Sequence, residues 1–258
     1  GANEFVIGNV VGSNIINIAL ILGIGALIMP LEAHISLLKR ESPLLLIVTV
    51  LCVVALLDGV LSRWEGALAL AGGTGYTIYL IVISLRERRA DVRPEEVVGK
   101  VPPGQRWWAL LLVAMVSLAV MIYGADLFVN GAIVLSERFG ASPLVIGITV
   151  IAVGTSLPEL VTTVIAAVKK EQDIAIGTVM GSNIFNILVV LGLTACLRPV
   201  VIGDGNEALW VDLAVMTGVT VSFVAMIFSK DNRITRPYGA TLLGVYILYT
   251  VYLLWQPA

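Results

Sequence analysis

IGNVVGSNIINI, at Ile7 to Ile18, returns as IGTVMGSNIFNI at Ile176 to Ile187. The copies lie 169 residues apart (176 minus 7) in a chain of 258, so the chain holds a duplicated unit and not a local repeat. Both copies sit inside apolar runs long enough to cross a bilayer. The two nevertheless share glycine, serine and two asparagines where a lipid-facing helix would carry Leu or Val, and polar groups at membrane depth point to function.

The similarity reaches past the phrase. From Asn3 to Leu31 against Gln172 to Val200, 13 of 29 positions are identical, including Gly23 with Gly192 and Pro30 with Pro199. With a four-residue shift, Asp58, Arg63, Gly66, Tyr76 and Tyr79 match Asp231, Arg236, Gly239, Tyr249 and Tyr252.

Composition places this duplication in lipid. The chain is 58% hydrophobic and 13% charged, whereas a soluble domain carries roughly a quarter charged residues. A transmembrane helix needs ~20 mostly apolar residues. Eight segments qualify: about Phe5 to Leu31, Pro43 to Leu61, Gly66 to Leu85, Trp107 to Leu135, Pro143 to Val168, Ile174 to Leu197, Leu209 to Phe228 and Tyr238 to Trp255. The expected fold is an all-α membrane bundle whose partner is the lipid bilayer and not nucleic acid.

Short basic loops stay cytoplasmic. With the loop after Leu85 inside and strict alternation, thirteen Lys and Arg fall inside, among them Lys39, Arg40, Lys169, Lys170, Arg233 and Arg236; only Arg63, Arg138 and Arg198 fall outside. That asymmetry fixes the expected orientation and supports eight spans, with the C-terminus outward. Residues 86–106, rich in charge and ending in Pro102, Pro103 and Gly104, read as a cytoplasmic linker between a first unit, 1–85, and a second, 107–258.

Five crossings separate the two copies of the phrase. An odd number inverts one copy relative to the other, the inverted-repeat plan of secondary transporters. The second unit has two spans before its copy and the first has none, so symmetry expects two more spans ahead of Gly1, in a ten-span protein.

AVGTSLPEL, Ala152 to Leu160, carries the chemistry. Pro158 lacks an N–H, so it is expected to break the helix and free carbonyls near Val153 and Thr155. Thr155, Ser156 and Glu159 add side-chain oxygens. No Lys or Arg shares the span with Glu159, and a bound hard cation, which takes six to eight oxygens in the case of calcium, would neutralise it. Ser13 with Asn17, and Ser182 with Asn186, are spaced i, i+4 and share a helix face. Asn14 and Asn183 are expected to satisfy backbone of the neighbouring broken helix. Asp126 is expected to bond a neighbouring helix, and Asp58 and Asp212 to meet water near span ends. Cys52 and Cys196 read as small core residues, His34 as a loop residue beside Glu32 and Lys39. An intramembrane aspartyl protease would need paired aspartates in Tyr-Asp and Gly-x-Gly-Asp settings, which Tyr123 to Asp126 does not provide.

A GTSxPE span followed by a GSNIxN span, present as inverted copies, resembles the alpha repeats of the cation/calcium exchanger superfamily, the sodium/calcium exchangers and their prokaryotic relatives. The resemblance covers essentially the whole chain. It implies an antiporter without a cofactor that carries calcium and sodium, with the ion site at mid-membrane between the repeats and access alternating between the two sides. By motif it implies that Glu159 is the calcium carboxylate of the second repeat. Thr155, Ser156 and the Ala152 carbonyl would bind sodium or calcium opposite Ser182 and Asn186, with Ser13 and Asn17 from the first repeat. Asn186 departs from the Asp of many members, potassium-dependent ones included, which argues against potassium coupling. A GTSxPE segment for the first repeat does not occur between Gly1 and Ile18.

Overall fold

The computed structural model describes residues 2–89, 107–138, 152–202, 207–229 and 233–255. Among them, eight helical rods account for nearly all regular structure. The first is α1 (Ala2–Ile15), continued by a π-helical turn π1 (Ile16–Leu22) and α2 (Gly23–Ile28). Then follow α3 (Ile35–Ala55), α4 (Arg63–Arg89) and α5 (Trp107–Arg138). The fifth rod is broken into α6 (Ala152–Thr155) and α7 (Leu157–Val168). The sixth is α8 (Gln172–Phe185), π2 (Asn186–Leu191) and α9 (Gly192–Leu197), and α10 (Glu207–Ser229) and α11 (Arg236–Trp255) complete the set.

Five of these rods are long and apolar enough to cross a membrane, Val6–Ile28, Arg63–Leu85, Trp108–Gly131, Gln172–Leu197 and Leu209–Phe228. The helix expected from Pro43 begins at Ile35 instead, so Lys39, Arg40 and Glu41 are helical and not in a loop. Residues 139–151, where the expected fifth span begins, and the linker from residue 90 to 106 lie outside the described residues, as does Asp231.

Four two-residue strands, absent from the sequence expectation, tie the rods at their ends. β1 (Leu31–Glu32) pairs antiparallel with β4 (Arg233–Ile234), and β2 (Val60–Leu61) with β3 (Val200–Val201). The repeat offsets carry β1 onto β3 and β4 onto β2. Leu31 opposite Ile234 thus has its twin in Val200 opposite Leu61, and Glu32 opposite Arg233 in Val201 opposite Val60. The first rod ends where the sixth begins: the Glu32 N–H donates to Gln172 Oε1 at 2.9 Å, and the His34 N–H to Asp173 Oδ1 at 2.8 Å. The two phrase-bearing rods therefore run in opposite directions.

Helix packing repeats the same relation. α9 crosses α4 at Gly66, where a Cβ would lie 2.7 Å from the Gly192 carbonyl oxygen. The twin crossing sets Gly239 of α11 against α2, where a Cβ would lie 2.9 Å from the Gly23 carbonyl oxygen. Only glycine lets backbones approach so closely, the close packing that drives helix association in lipid. Both glycine pairs matched in sequence are thus matched across the contact as well.

A second twinned feature joins consecutive helices. The Tyr76 hydroxyl of α4 donates to Glu41 Oε2 on α3, whose other oxygen accepts from Arg40 Nε at 2.9 Å. On the other repeat the Tyr249 hydroxyl of α11 donates to Asp212 Oδ1 on α10 at 2.8 Å. Asp212 is therefore tied to a neighbouring helix and is not simply a water-facing residue at a span end. Asp126 is exposed on α5 among the described residues.

Gly66→Ala and Gly239→Ala are expected to cost ~1–3 kcal/mol each by overpacking, whereas Gly75→Ala, whose Cβ would meet nothing within 4 Å, is neutral. Thermal unfolding of the three purified variants in detergent checks this; equal melting temperatures would contradict the crossing.

Candidate functional site

The two GSNIxN segments meet each other at the centre of the bundle, and their amides interlock. Asn17 Nδ2 donates to Asn183 Oδ1 at 2.9 Å and to Ser182 Oγ at 3.1 Å. Asn186 Nδ2 donates to Asn14 Oδ1 at 3.2 Å, the twin of the first contact. Asn183 Nδ2 reaches the Asn14 carbonyl at 3.3 Å, and Asn14 Nδ2 faces Met216 Sδ at 3.7 Å. Asn14 and Asn183 thus bridge the two repeats, rather than capping the broken helix. An amide carries both donors and an acceptor, so two inverted copies can satisfy each other without water.

Both Asn17 and Asn186 stand at the opening of a π-helical turn. Such turns are rare and frequent at functional sites. Periodicity alone did not reveal them, and the only sequence signal is an asparagine placed mid-span.

The broken rod supplies the other wall. α6 ends at Thr155, Ser156 has φ −97° and ψ 5°, and the Ser156 N–H turns back to the Val153 carbonyl at 3.1 Å. The Val153 carbonyl is therefore occupied and not freed, as the proline had suggested. Pro158 sits in the first turn of α7, where a missing N–H is tolerated. Glu159 follows in that first turn, where the helix N-terminus favours a carboxylate. At Gly154 the backbone lies against Val129 of α5, with no room for a Cβ.

The structure brings several expected residues together. Ser13 Oγ is 3.4 Å from Thr155 Oγ1, which also donates to Asn9 Oδ1 at 3.4 Å. Asn9 was not singled out in sequence, although the polar residue at the equivalent position, Thr178, marks the same spot in the second copy. Asn17 and Ser182 are bonded directly. Asn186 bonds Asn14 and not Ser13 or Asn17. Ala152 opens α6, Ser156 is 2% exposed, and Glu159 is partly buried on α7.

Among the described residues, four buried side-chain oxygens lack a hydrogen-bond partner: Asn17 Oδ1, Ser42 Oγ, Glu159 Oε2 and Thr163 Oγ1. Three of the four lie on π1 or α7, which pack against each other. Oxygens with unfilled lone pairs and no donor nearby form the surroundings a hard cation needs. The apolar cavity of about 170 Å³ between α4 and the α8–π2 segment, lined by Gly73, Tyr76, Phe185 and Leu188, lies apart from these oxygens.

The family described as sodium/calcium exchanger protein matches residues 1–85 and 109–255. This chain belongs to the sodium/calcium exchanger family. It is 38% identical over 251 residues to the putative antiporter CaxA of Alkalimonas amylolytica, covering 96% of this chain and 78% of that protein. It is 32% identical over 286 residues to the sodium/calcium exchanger MaX1 of Methanosarcina acetivorans, covering 98% and 81%. The sodium-calcium exchanger NCX_Mj superposes with a TM-score of 0.77 at 28% identity, over 97% of this chain and 76% of that one. The family is one of transporters, of prokaryotic type here, and the chain has the fold of a cation/calcium antiporter.

Replacing Asn14 or Asn183 by Leu is expected to cost ~1–3 kcal/mol, since each strands buried amide groups. The double variant should lose less than the sum if the amides act as one network. Melting temperatures of the three variants test it, and strict additivity would show the contacts to be independent.

Proposed function

We propose that this exchanger moves sodium against calcium by alternating access, with the cations held at mid-membrane between two inverted repeats, 1–85 and 107–258, joined by a cytoplasmic linker, 86–106. The observation that carries this reading is the group of unpartnered buried oxygens, Glu159 Oε2 above all, on the broken rod facing the inverted GSNIxN segments. A carboxylate at membrane depth costs on the order of 3 kcal/mol or more without a counter-charge, and a cation supplies it. Asn17 Oδ1, Ser13, Thr155, Ser156, the Ala152 carbonyl, Ser182 and Asn186 are the remaining proposed ligands.

All eight rods are proposed to cross the bilayer, with the central linker cytoplasmic and the C-terminus outside. The end contacts support the alternation. Glu32 pairs with Arg233, and His34 Nδ1 meets Asp173 Oδ2 at 2.5 Å, so three segments assigned to the cytoplasmic side touch one another. The relatives CaxA and MaX1 bear the names antiporter and sodium/calcium exchanger, which supports sodium and calcium as cargo. Alternative coupling to potassium is disfavoured by the neutral amide at Asn186, which offers one coordinating oxygen and no charge. Coupling to protons is the other alternative, with Glu159 as the carboxylate of the proposed site that could carry one.

In vesicles containing the intact protein, an imposed sodium gradient should drive calcium uptake that Glu159→Gln abolishes and that replacing potassium by choline leaves unchanged. Undiminished flux in Glu159→Gln would overturn the site, and loss of flux without potassium would overturn the coupling.

A further inference from the structure

Most helical threonines among the described residues follow one habit. Nine of them among the described residues, Thr162 included, donate their hydroxyl to the carbonyl four residues back, at 2.7 to 3.0 Å. This is the ordinary way for a hydroxyl to be satisfied in lipid. Thr163 departs from it. The residue is 0% exposed, yet Oγ1 bonds neither its own helix nor any neighbour. A buried polar atom left open in a fold that satisfies its equivalents calls for an explanation.

Position supplies one. Thr163 follows Glu159 by four residues on α7, so the two side chains are neighbours on one helix face. The Thr163 methyl faces Gly25 of α2, where an added Cβ would come within 3.2 Å of Cγ2. Packing therefore holds the methyl against the first rod, and the hydroxyl is left open one turn beyond the open carboxylate oxygen, on the side of Lys169 and Lys170. Glu159 with Thr163, one carboxylate and one neutral oxygen, would by themselves balance one positive charge and not two.

We propose that Thr163 Oγ1 is a further cation ligand, forming with Glu159 a sodium position on the Lys169 side of the central site. It rests on the reading of Glu159 given above and extends the path of the ion by one helical turn. Thr162, next in sequence but bonded to the Pro158 carbonyl at 2.8 Å, has no such part.

Sodium-gradient-driven calcium flux and calcium–calcium self-exchange, measured on the intact protein in vesicles, separate the possibilities. Thr163→Val keeps the shape and removes the hydroxyl. It should raise the sodium concentration for half-maximal flux about tenfold, the scale of one interaction with a charged group, and leave self-exchange unchanged. Thr163→Ser should restore the sodium dependence, and Thr162→Val should not alter it. Should Thr163→Val fail to reach the membrane, Thr163→Ala reports the same loss. An unchanged sodium dependence in the hydroxyl-free variant overturns the proposal, as does an equal fall in both exchange modes or a defect that Thr163→Ser shares, since these mark packing alone. Glu159→Gln run in parallel should abolish both modes. If it does so while Thr163→Val is silent, only the added ligand is wrong; if Glu159→Gln retains both modes, the site reading falls and this proposal with it.

Discussion

The amides of Asn14, Asn17 and Asn183, buried, and of Asn186, half-buried, set the constraint from which the rest of the structure follows. Carboxamides removed from water must find partners, at a cost of several kcal/mol if they do not. No lipid can supply them. Each amide here finds a partner on the opposite repeat, Asn17 on Asn183 and Asn186 on Asn14. That pairing requires the two helices to lie against each other running in opposite directions, which in turn requires the units that carry them to be inverted. Gly23 against Gly239 and Gly192 against Gly66 then follow as the crossings that let the outer helices close on this pair.

The scaffold keeps the two-fold relation more strictly than the residues near its ends do. Tyr76 with Glu41 and Tyr249 with Asp212 perform the same task in the two halves, holding consecutive helices by a hydrogen bond to a carboxylate. At the strand pairs the equivalence is geometric only. One end carries the ion pair of Glu32 and Arg233, whereas the other sets Val201 against Val60. His34 with Asp173 adds a second charged tie at the first end. Polar ties at the end proposed as cytoplasmic and apolar ones at the other give the two faces different cohesion, although the backbone beneath them is alike.

What the sequence made legible was whatever recurs at a fixed offset. The phrase and its glycines come from aligning the chain with itself, and the contacts agree with both. Features set by partners about 170 positions away were not legible. Periodicity could not show that Asn14 and Asn183 turn to each other's repeat, because an i, i+4 rule speaks only of one helix. The same ignorance hid the π-turns and the partner of Asp212. The proline misled in a different way: it was read as freeing the Val153 carbonyl, but the chain places Pro158 in the first turn of a new helix and gives that carbonyl to Ser156. The start of α3 at Ile35 was missed because Lys39, Arg40 and Glu41 look like loop residues until Tyr76 is seen to donate to Glu41.

The amide network and the proposed ion site are then one device. Asn17 spends both of its N–H groups on Asn183 and Ser182, which fixes which end of the amide faces away from them. The end left over is the oxygen, buried and without a donor. Ser182 gives its own hydrogen to the Val179 carbonyl at 3.2 Å while accepting from Asn17, so its oxygen too is oriented by its bonds. A donor placed among these atoms would satisfy them and lower the energy of the empty protein. It would also compete with any cation for the same lone pairs, and a site saturated by its own hydrogen bonds would bind ions weakly. Leaving Asn17 Oδ1 and Glu159 Oε2 unpaired costs stability, on the order of 1–3 kcal/mol for each neutral oxygen. In the proposed site that cost would fall on the ion-free state alone and be recovered when a cation enters.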